Sequence, residues 1–446
     1  MPVEKDIKKE SAKGKPYPPA YFMSLTLENI RCFGEKQTLD LLDGKGRPAQ
    51  WTVILGDNGV GKTTLLQCLV ANEAILLGEE LIPKFLMFSE IQSDIDYILR
   101  LGSNNGLIQS KIFTGCKLKD AQVGEIIDNC MIEIPRGTNI VHWEADGRSL
   151  GINCYGYGAS RRLSQSTLKE KIVAPSESLF KDNAHLLNAE EWILRADYAA
   201  SKESDFRMFA QKKLDEVKKL LVKVLPDVEN IRFWIPNDKN QKPKVAFETF
   251  SGTVQLNDLS LGYKTMIAWM VDLAARLYER YPDSPDPLAE PAVVLVDEID
   301  LHMHPKWQRN IKDYLIERFP NTQFIVTAHS PLIVQEATDA NVVLLKREGD
   351  HVEIYRNPEI IKGWRLDQIY NSNLFGNVGS RSKEIQKLLD ERSAILTKPK
   401  LTKMDIKKVE KLEAQIGYLP TGETREDIEA RNIIREAAAQ LKKAKG

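Results

Sequence analysis

The segment GDNGVGKTT constrains the fold of this chain more than any other feature of the sequence. It fits the pattern GxxxxGK[ST] and lies between an apolar run, WTVIL, and a predicted helix from about Lys62 to Leu77. Glycines let a backbone wrap closely round phosphate oxygens, so that amide groups and a helix N-terminus face the negative charge. The pattern therefore predicts a phosphate-binding loop made of Gly56, Asp57, Asn58, Gly59, Val60, Gly61, Lys62, Thr63 and Thr64.

A second cluster, AVVLVDEID, supplies the metal partner that such a loop needs. Its apolar run is predicted to place Asp297 and Glu298 at the carboxyl end of a strand. We expect Lys62 to bridge phosphate oxygens, while Thr63 and Asp297 hold Mg²⁺. Glu298 is the candidate general base that polarises the attacking water. Together, the two clusters predict ATP and Mg²⁺ as ligands.

Strands and helices alternate around these clusters. Apolar runs at 51–55 and 292–296 and the segment QFIVTA are predicted to be buried strands, and helices are predicted to begin near Ser260, Pro305 and Pro331. This alternation predicts an α/β fold with a mainly parallel core sheet and flanking helices.

Four regions are predicted along the chain. Residues 1–20 are expected to form a flexible leader, and residues 21–375 a head with a lobe of helices and strands inserted at about 75–250. In that lobe, VHWEADGRSLGINCYGYG indicates a hairpin that turns at Asp146-Gly147. Residues 376–446 are rich in Lys, Glu and Leu and are expected to form a helical appendage.

The segment LSLGYK resembles the signature motif of ABC ATPases. Ser260 and Gly262 open a predicted helix, so a hydroxyl, a backbone N–H and the helix dipole all point at an anion. The resemblance implies that this anion is the γ-phosphate of ATP held by the opposite subunit of a nucleotide-sandwiched dimer. Leu261 departs from the family pattern, in which glycine is usual at this position.

Two further positions match the same family. His329, in FIVTAHSP, resembles the switch histidine that contacts the γ-phosphate. Asp300 matches the position from which such proteins extend a carboxylate across the dimer interface. His302 and His304 have a spacing that metal ligands also use, but we favour a structural turn before the helix at Pro305.

The opening LENIRCF, the early phosphate loop and DEIDLHMHP resemble the Rad50, SMC, RecF and OLD-like branch, over about residues 24–345. In this branch Arg31 matches an arginine that contacts nucleotide. The resemblance implies a P-loop NTPase fold of the ABC-ATPase type that binds and hydrolyses ATP. Lys62 and Ser260 are too close in sequence to enclose the long coiled coil of Rad50 or SMC, and no second acidic cluster marks the nuclease domain of OLD proteins.

Within that branch, YGYGASRRL, the segment from DLHMHP to AHSPLIV, and SRSKEIQKLLDERSAIL look similar to the PtuA ATPases of Septu and retron-linked antiphage systems. This similarity implies a companion HNH nuclease, PtuB, and makes the helices after Ser380 a candidate docking surface. An equally open role for these helices is to complete the fold or to support self-assembly into a higher oligomer.

Two other functions stay open. One is a RecF-like, DNA-binding repair ATPase, although the net charge of -1 gives DNA binding no support. Its phosphate contacts would come from a lysine-rich helix whose spacing equally suits a solvated amphipathic face. The other is a nucleotide-gated scaffold with little turnover. The lysines concerned are Lys212, Lys213, Lys218, Lys219 and Lys223.

The cellular compartment follows from what the sequence lacks. The five cysteines are scattered and have neither zinc-site nor disulfide-framework spacing. The first residues lack the apolar run of a signal peptide, and no later run reaches the ~18 residues of a membrane span. We therefore expect a cytoplasmic protein without membrane contact.

Two features stay unassigned. No glutamine after the phosphate loop has a suitable context for the glutamine loop of ABC ATPases; the candidates are Gln92, Gln109, Gln122 and Gln165. Arg161 and Arg162, in GYGASRRL, are predicted at the end of a hairpin strand. There they would either contact phosphate or nucleic acid or stay solvated.

Overall fold

The computed structural model divides the chain into two compact units, Met1–Asn377 and Val378–Gly446. The residues that it describes are 18–77, 80–84, 98–120, 125–137, 142–145, 150–163, 175–234, 243–337, 340–356, 363–376, 381–396, 398 and 401–416. Most of the predicted leader and the predicted turn at Asp146-Gly147 lie outside these residues, as do Gln92, Gln122 and Gln165.

The described residues of the first unit combine strands and helices. Its strands are β1 (Ala20–Glu28), β2 (Gln37–Asp40), β3 (Trp51–Gly56), β4 (Ala74–Leu77), β5 (Glu80–Pro83), β6 (Asn105–Thr114), β7 (Glu125–Pro135), β8 (His142–Ala145), β9 (Cys154–Tyr157), β10 (Val228–Trp234), β11 (Lys244–Thr249), β12 (Gly252–Gln255), β13 (Ala292–Val296), β14 (Thr322–Thr327), β15 (Asn341–Glu348) and β16 (His351–Arg356). Its helices are α1 (Lys62–Ala71), α2 (Ala189–Ser201), α3 (Arg207–Val224), α4 (Leu261–Arg280), α5 (Pro305–Arg318), α6 (Pro331–Gln335) and α7 (Leu366–Tyr370).

A central sheet in the order β16-β15-β3-β14-β13-β9 carries the candidate site. Every neighbouring pair from β15 to β9 is parallel, and β16 is antiparallel to β15. Because Val296 pairs with Tyr157 and Thr327 pairs with Ile54, the carboxyl ends of these strands meet at one edge. The predicted α/β class with a mainly parallel core sheet is therefore confirmed.

Alternate residues of the central strands face two hydrophobic cores. On β3, Val53 and Leu55 belong to one core and Ile54 to the other. On β13, Val294 and Val296 face the first core, while Val293 and Leu295 face the second. Burial on both faces explains why these strands are continuous apolar runs in the sequence rather than alternating patterns.

An antiparallel sheet in the order β2-β1-β6-β7-β8 builds much of the second core. A three-stranded sheet, β10-β11-β12, and the hairpin β4-β5 are the remaining strands among the described residues of this unit. The segment at about 75–250 thus contributes β6 and β7 to the sheet of β1, and β9 to the central sheet. The segment CYGY (Cys154–Tyr157) is a parallel edge strand of the central sheet, so its predicted place in a hairpin is wrong.

Helix α1 begins at Lys62 as predicted but ends at Ala71, so its predicted extension to Leu77 is wrong. The buried side chain of Asn72 donates hydrogen bonds of 2.8 Å to Ser110 Oγ and to the carbonyl oxygen of Cys130, both on strands of the antiparallel sheet. These tertiary bonds end the helix where local helical spacing continues. The predicted helix starts at Pro305 and Pro331 are confirmed.

The second unit contains α8 (Lys383–Leu396) and α9 (Lys403–Ile416), which confirms helices after Ser380 over these ranges. The two helices contact each other through ion pairs, including Lys408 with Glu391 at 2.6 Å. Among the described residues of the whole chain, no helix is both long and apolar enough to cross a membrane.

Candidate nucleotide-binding site

The predicted phosphate loop lies between β3 and α1. Gly56 and Gly61 have φ angles of +146° and +89°. A Cβ atom at Gly61 would lie 2.4 Å from Cys32 Sγ, and one at Gly56 would lie 2.7 Å from the carbonyl oxygen of Leu345. Both positions therefore require glycine, and the backbone can wrap tightly here. Between them, Val60 is buried, whereas Asp57, Asn58 and Gly59 are exposed.

Lys62 opens α1 and folds back over the loop. Its Nζ atom donates hydrogen bonds of 2.8 and 2.9 Å to the carbonyl oxygens of Gly56 and Asp57. Burial lowers the pKa of Lys62, and the carboxylates of Asp297 and Glu298 oppose this shift. A buried ammonium held only by carbonyl oxygens is a ready partner for phosphate oxygens.

Thr63 and Asp297 meet across 234 residues of sequence, since Thr63 Oγ1 donates a 2.7 Å hydrogen bond to Asp297 Oδ2. A hydroxyl and a carboxylate beside a phosphate cradle fit the preference of Mg²⁺ for one or two carboxylates together with substrate phosphates. The described residues hold no cluster of three or more His, Cys, Asp and Glu side chains that would bind a metal by itself. The metal ligands predicted from the sequence thus lie together, at a site that nucleotide would have to complete.

Glu298 lies in a tight turn directly after β13. Its backbone has φ +46°, a left-handed conformation that costs a non-glycine residue about 1–2 kcal/mol. Its N–H donates a 2.7 Å hydrogen bond to Thr327 Oγ1, and its carbonyl oxygen accepts one from the Leu301 N–H. No described hydrogen bond or ion pair occupies the Glu298 carboxylate, so it is available to water.

Asp300 and His329 are joined within one chain. The Asp300 carboxylate accepts the backbone N–H of His329 at 3.1 Å. The imidazole of His329 is exposed at the same edge of the sheet as Asp297. The resemblance implies that Asp300 extends its carboxylate across a dimer interface. Here this carboxylate instead bonds the backbone of His329 in the same chain.

Ser260 is the residue before α4, but its hydroxyl makes no capping hydrogen bond. Gly262 packs against the turn that follows Glu298, because a Cβ atom there would lie 2.2 Å from the carbonyl oxygen of His302. The start of α4 and the turn that follows Glu298 are therefore in direct contact within one chain. Leu261, which replaces the usual glycine, is 56% exposed.

Arg31 lies beside the first turns of α1. Its guanidinium donates hydrogen bonds to Gln67 Oε1 at 2.9 Å and to Thr64 Oγ1 at 3.4 Å. Gln67 in turn donates a 2.6 Å bond to the carbonyl oxygen of Leu179. Arg31 thus lies next to the last residue of the phosphate loop, on the side of the antiparallel sheet.

Arg161 does not face solvent, so neither sequence interpretation of this residue is right. Its side chain is 2% exposed and donates hydrogen bonds of 2.8 and 2.9 Å to the carbonyl oxygens of Asp297 and Glu298. Burial lowers its pKa to about 10, with Asp297, Asp300 and Glu298 opposing the shift. Arg162, its neighbour, has an exposed side chain.

Sequence reasoning missed Thr327, which organises the centre of the site. Its hydroxyl donates a 2.6 Å hydrogen bond to Asp297 Oδ1 and accepts the Glu298 N–H. It also missed Gln308, whose side-chain amide bonds the carbonyl oxygens of Asp300 and Met303 and the hydroxyl of Ser330. A polar residue at the end of the strand neighbouring the Asp-Glu pair was the available signal for Thr327.

Other sequence candidates have structural contacts. His304 accepts the Lys306 N–H through Nδ1 and begins α5, in agreement with a structural turn. Gln109 is a β6 residue of the antiparallel sheet. The lysines of α3 contact a carbonyl oxygen, aromatic rings or glutamates of the same chain: Lys212 with Pro285, Lys213 with Trp192 and Tyr278, Lys218 with Phe233, Lys219 with Glu216, and Lys223 with Glu317.

Comparison with known domain families covers the two halves of this site. Residues 24–72, with the phosphate loop, match the AAA domain. Residues 167–335, with the start of α4 and the ends of β13 and β14, match the family described as AAA domain, putative AbiEii toxin, Type IV TA system.

Similar proteins include the Septu protein PtuA of Bacillus mycoides, which is 26% identical over 94% of this chain and 54% of its own length. The Retron Ec83 probable ATPase of Escherichia coli is 32% identical over 52% of this chain and 40% of its own length. The chain thus spans about half the length of these relatives. Among solved structures, an SMC head bound to the C-winged helix domain of ScpA is 15% identical, with a TM-score of 0.45 over 75% of this chain and 97% of that one.

The residues of this chain that match these families include the phosphate loop, the segment that opens α4 and the Asp-Glu strand end. The PtuA match extends over nearly the whole chain rather than over the phosphate loop alone. In sequence, the chain therefore resembles ABC-type P-loop ATPases of the PtuA kind.

Proposed function

We propose that this chain binds ATP with Mg²⁺, closes on a second copy of itself over the nucleotide, and hydrolyses the γ-phosphate. The observation that carries the proposal is the 2.7 Å hydrogen bond between Thr63 Oγ1 and Asp297 Oδ2. It joins the phosphate loop to the end of β13, so the residues that would hold the cradle, the metal and the general base share one edge of the sheet.

Each residue has a role that its present contacts allow. Lys62 exchanges its two carbonyl partners for phosphate oxygens, while the loop N–H groups and the start of α1 face the phosphates. Thr63 and Asp297 would hold Mg²⁺, which would supply positive charge to neutralise the phosphates. Glu298 takes the proton of the attacking water, whose oxygen bonds the γ-phosphorus as the bond to ADP breaks. His329, exposed beside them, donates to the γ-phosphate.

A second copy supplies what one subunit lacks. The Ser260 hydroxyl is exposed and is not used to cap α4, so it can bind an anion together with the N–H groups at the start of this helix. In the proposed dimer, Ser260 and Gly262 contact the γ-phosphate bound in the opposite loop. Because Gly262 packs on the turn after Glu298, helix α4 of each subunit also contacts the turn that carries the proposed general base of that subunit.

We further propose that closure regulates an HNH-type partner nuclease in bacterial antiphage defence. This rests on the PtuA relatives and on the helices after Ser380 as a docking surface. Closing two heads over nucleotide is a two-state change, and it can bias any partner that prefers one state. Co-purification of the chain with the products of its neighbouring genes tests this step, and recovery of the chain alone would contradict it.

Hydrolysis is tested with purified protein and two variants. Lys62→Ala is expected to lose ATP binding, because the cradle loses its cation. Glu298→Gln is expected to bind ATP and accumulate as a dimer without turnover, because the water is no longer deprotonated. Asp313→Asn, an exposed acid on α5, is the matched control and should leave turnover unchanged.

The outcomes separate the alternatives. Equal hydrolysis by wild type and Glu298→Gln would contradict the base assignment. ATP-dependent dimers without hydrolysis would favour the nucleotide-gated scaffold. DNA affinity that falls steeply with salt would favour the repair ATPase, for which the lysines of α3, already in contact with groups of their own chain, give little support.

A further inference from the structure

Arg161 is among the largest side chains that the fold buries completely, and it lies four residues after the end of β9. Strand β9 and the residues after it are closely packed against their neighbours. A Cβ atom at Gly156 would lie 2.3 Å from Leu179 Cδ1, and one at Gly158 would lie 1.9 Å from the carbonyl oxygen of Ser178. The backbone before Arg161 therefore has little freedom to move relative to the core.

The guanidinium of Arg161 contacts the two peptide groups that flank the Cα atom of Glu298. Nη1 donates to the carbonyl oxygen of Asp297 at 2.8 Å, and Nη2 donates to the carbonyl oxygen of Glu298 at 2.9 Å. The first oxygen belongs to the peptide before Glu298 and the second to the peptide after it. Since φ and ψ of a residue describe rotation of these two peptides, the planar fork of one guanidinium holds both torsions.

The conformation held in this way is one that glutamate does not favour. Glu298 has φ +46°, in the left-handed region. Backbone strain of this kind persists only when the surrounding structure over-determines it, and it clusters at active sites. Arg161 bonds carbonyl oxygens rather than carboxylates, so it holds the turn without occupying the side chains of Asp297 or Glu298.

We propose that Arg161 is a positioning residue for catalysis, whose guanidinium holds the left-handed turn at Glu298 and thereby aims the general base at the attacking water. This inference rests on the proposed hydrolysis for its kinetic consequence but not for its structural one. A catalytic group displaced by about 1 Å can lose about 100-fold in rate, so the effect should appear in kcat and not in ATP affinity.

The kinetic test compares Arg161→Lys, Arg161→Met and Arg162→Met. Arg161→Met removes the fork, and kcat should fall about 100-fold while the Kd for ATP stays within about threefold. Arg161→Lys restores a cation that reaches one carbonyl oxygen, and it should recover about tenfold of that loss. Arg162→Met is the matched control, because its exposed side chain contacts neither carbonyl, and its kcat should stay at the wild-type value.

A second measurement needs no turnover. In nucleotide-free protein, hydrogen exchange of the amides of Glu298, Ile299 and Leu301 should speed up in Arg161→Met. The first two amides bond Thr327 and the third bonds the Glu298 carbonyl oxygen, so all three bonds depend on the geometry of the turn. Exchange should be unchanged in Arg162→Met. If Arg161→Met does not fold, Arg161→Lys decides by the same two readouts.

The outcomes are distinguishable. An Arg161→Lys variant with wild-type kcat and wild-type exchange overturns the proposal, and so does an equal loss of kcat and ATP affinity, which would indicate general damage to the site. If wild-type protein does not hydrolyse ATP, the proposed function fails, while the exchange measurement still decides whether Arg161 holds the turn.

Discussion

Removing the Thr327 hydroxyl tests how much of the fold depends on the polar centre of the site. This hydroxyl donates to Asp297 Oδ1 at 2.6 Å and accepts from the Glu298 N–H at 2.7 Å. Thr327→Val keeps the shape and removes both bonds. A hydrogen bond to a charged group contributes about 1.5–3 kcal/mol, and a donor left buried without a partner costs about 1–3 kcal/mol. Allowing for partial relaxation, we expect a loss of about 3–5 kcal/mol.

The loss is measured by calorimetry and circular dichroism on nucleotide-free protein. With roughly 2.1 cal/mol/K of unfolding entropy per residue, a unit as long as Met1–Asn377 should melt about 4–6 °C lower. Thr327→Ser keeps the hydroxyl and should recover most of this difference.

The same strand offers a matched control. Thr322, at the other end of β14, is fully buried, and its hydroxyl has no hydrogen-bond partner among the described residues. Thr322→Val therefore removes an unsatisfied polar group and should leave the melting temperature unchanged or slightly higher. If Thr327→Val melts within about 1 °C of wild type, or no lower than Thr322→Val, the hydroxyl does not stabilise the site as argued.

Three further predictions concern separate parts of the first unit. Gly262→Ala should abolish ATP-dependent dimerisation, measured by light scattering, because the added Cβ atom would lie 2.2 Å from the carbonyl oxygen of His302. Gly44→Ala, with open space around it, should have no effect. Glu73 forms a buried ion pair with Lys84 at 2.6 Å. Glu73→Gln should lower the free energy of unfolding in urea by about 3–5 kcal/mol, because it leaves the Lys84 charge buried without its partner, whereas replacing both partners by methionine should recover most of the loss. Burial lowers the pKa of Lys62, so ATP affinity should fall as pH rises through a range below that in which an exposed lysine titrates. Lys62→Arg should remove this slope, and a Kd for ATP with the same pH dependence in wild type and Lys62→Arg would contradict the reasoning.

Local chemistry allowed the phosphate loop and the Asp-Glu strand end to be predicted from the sequence. Both consist of adjacent residues whose spacing suits contact with one ligand, and both follow apolar runs long enough to indicate buried strands. The helix starts at Pro305 and Pro331 were predictable for the same reason, because the proline itself favours the first turn.

The missed features depend on partners that are distant in sequence. Thr327 acts on Asp297 from 30 residues away, and threonine at the end of a strand is too common to mark a site. Arg161 bonds carbonyl oxygens 136 and 137 residues away, and main-chain acceptors leave no trace in a sequence. The end of α1 depends on Asn72 reaching Cys130, so helical spacing alone could not place it.

These distant contacts converge on a single short turn, from Asp297 to Asp300. Thr63 reaches it from α1, Thr327 from β14 and Arg161 from the segment after β9, while Gly262 packs against the residues that follow it. A turn held from several elements does not need nucleotide to order it, and preorganised groups cost little at the moment of reaction.

Binding energy from ATP would then be available for the proposed closure of a dimer rather than for building each half-site. Nucleotide should therefore bind the separated subunit with measurable affinity, and Glu298 should be in place before the second copy arrives. If the separated subunit binds no ATP, this reasoning is wrong, and the site is assembled only when two copies meet.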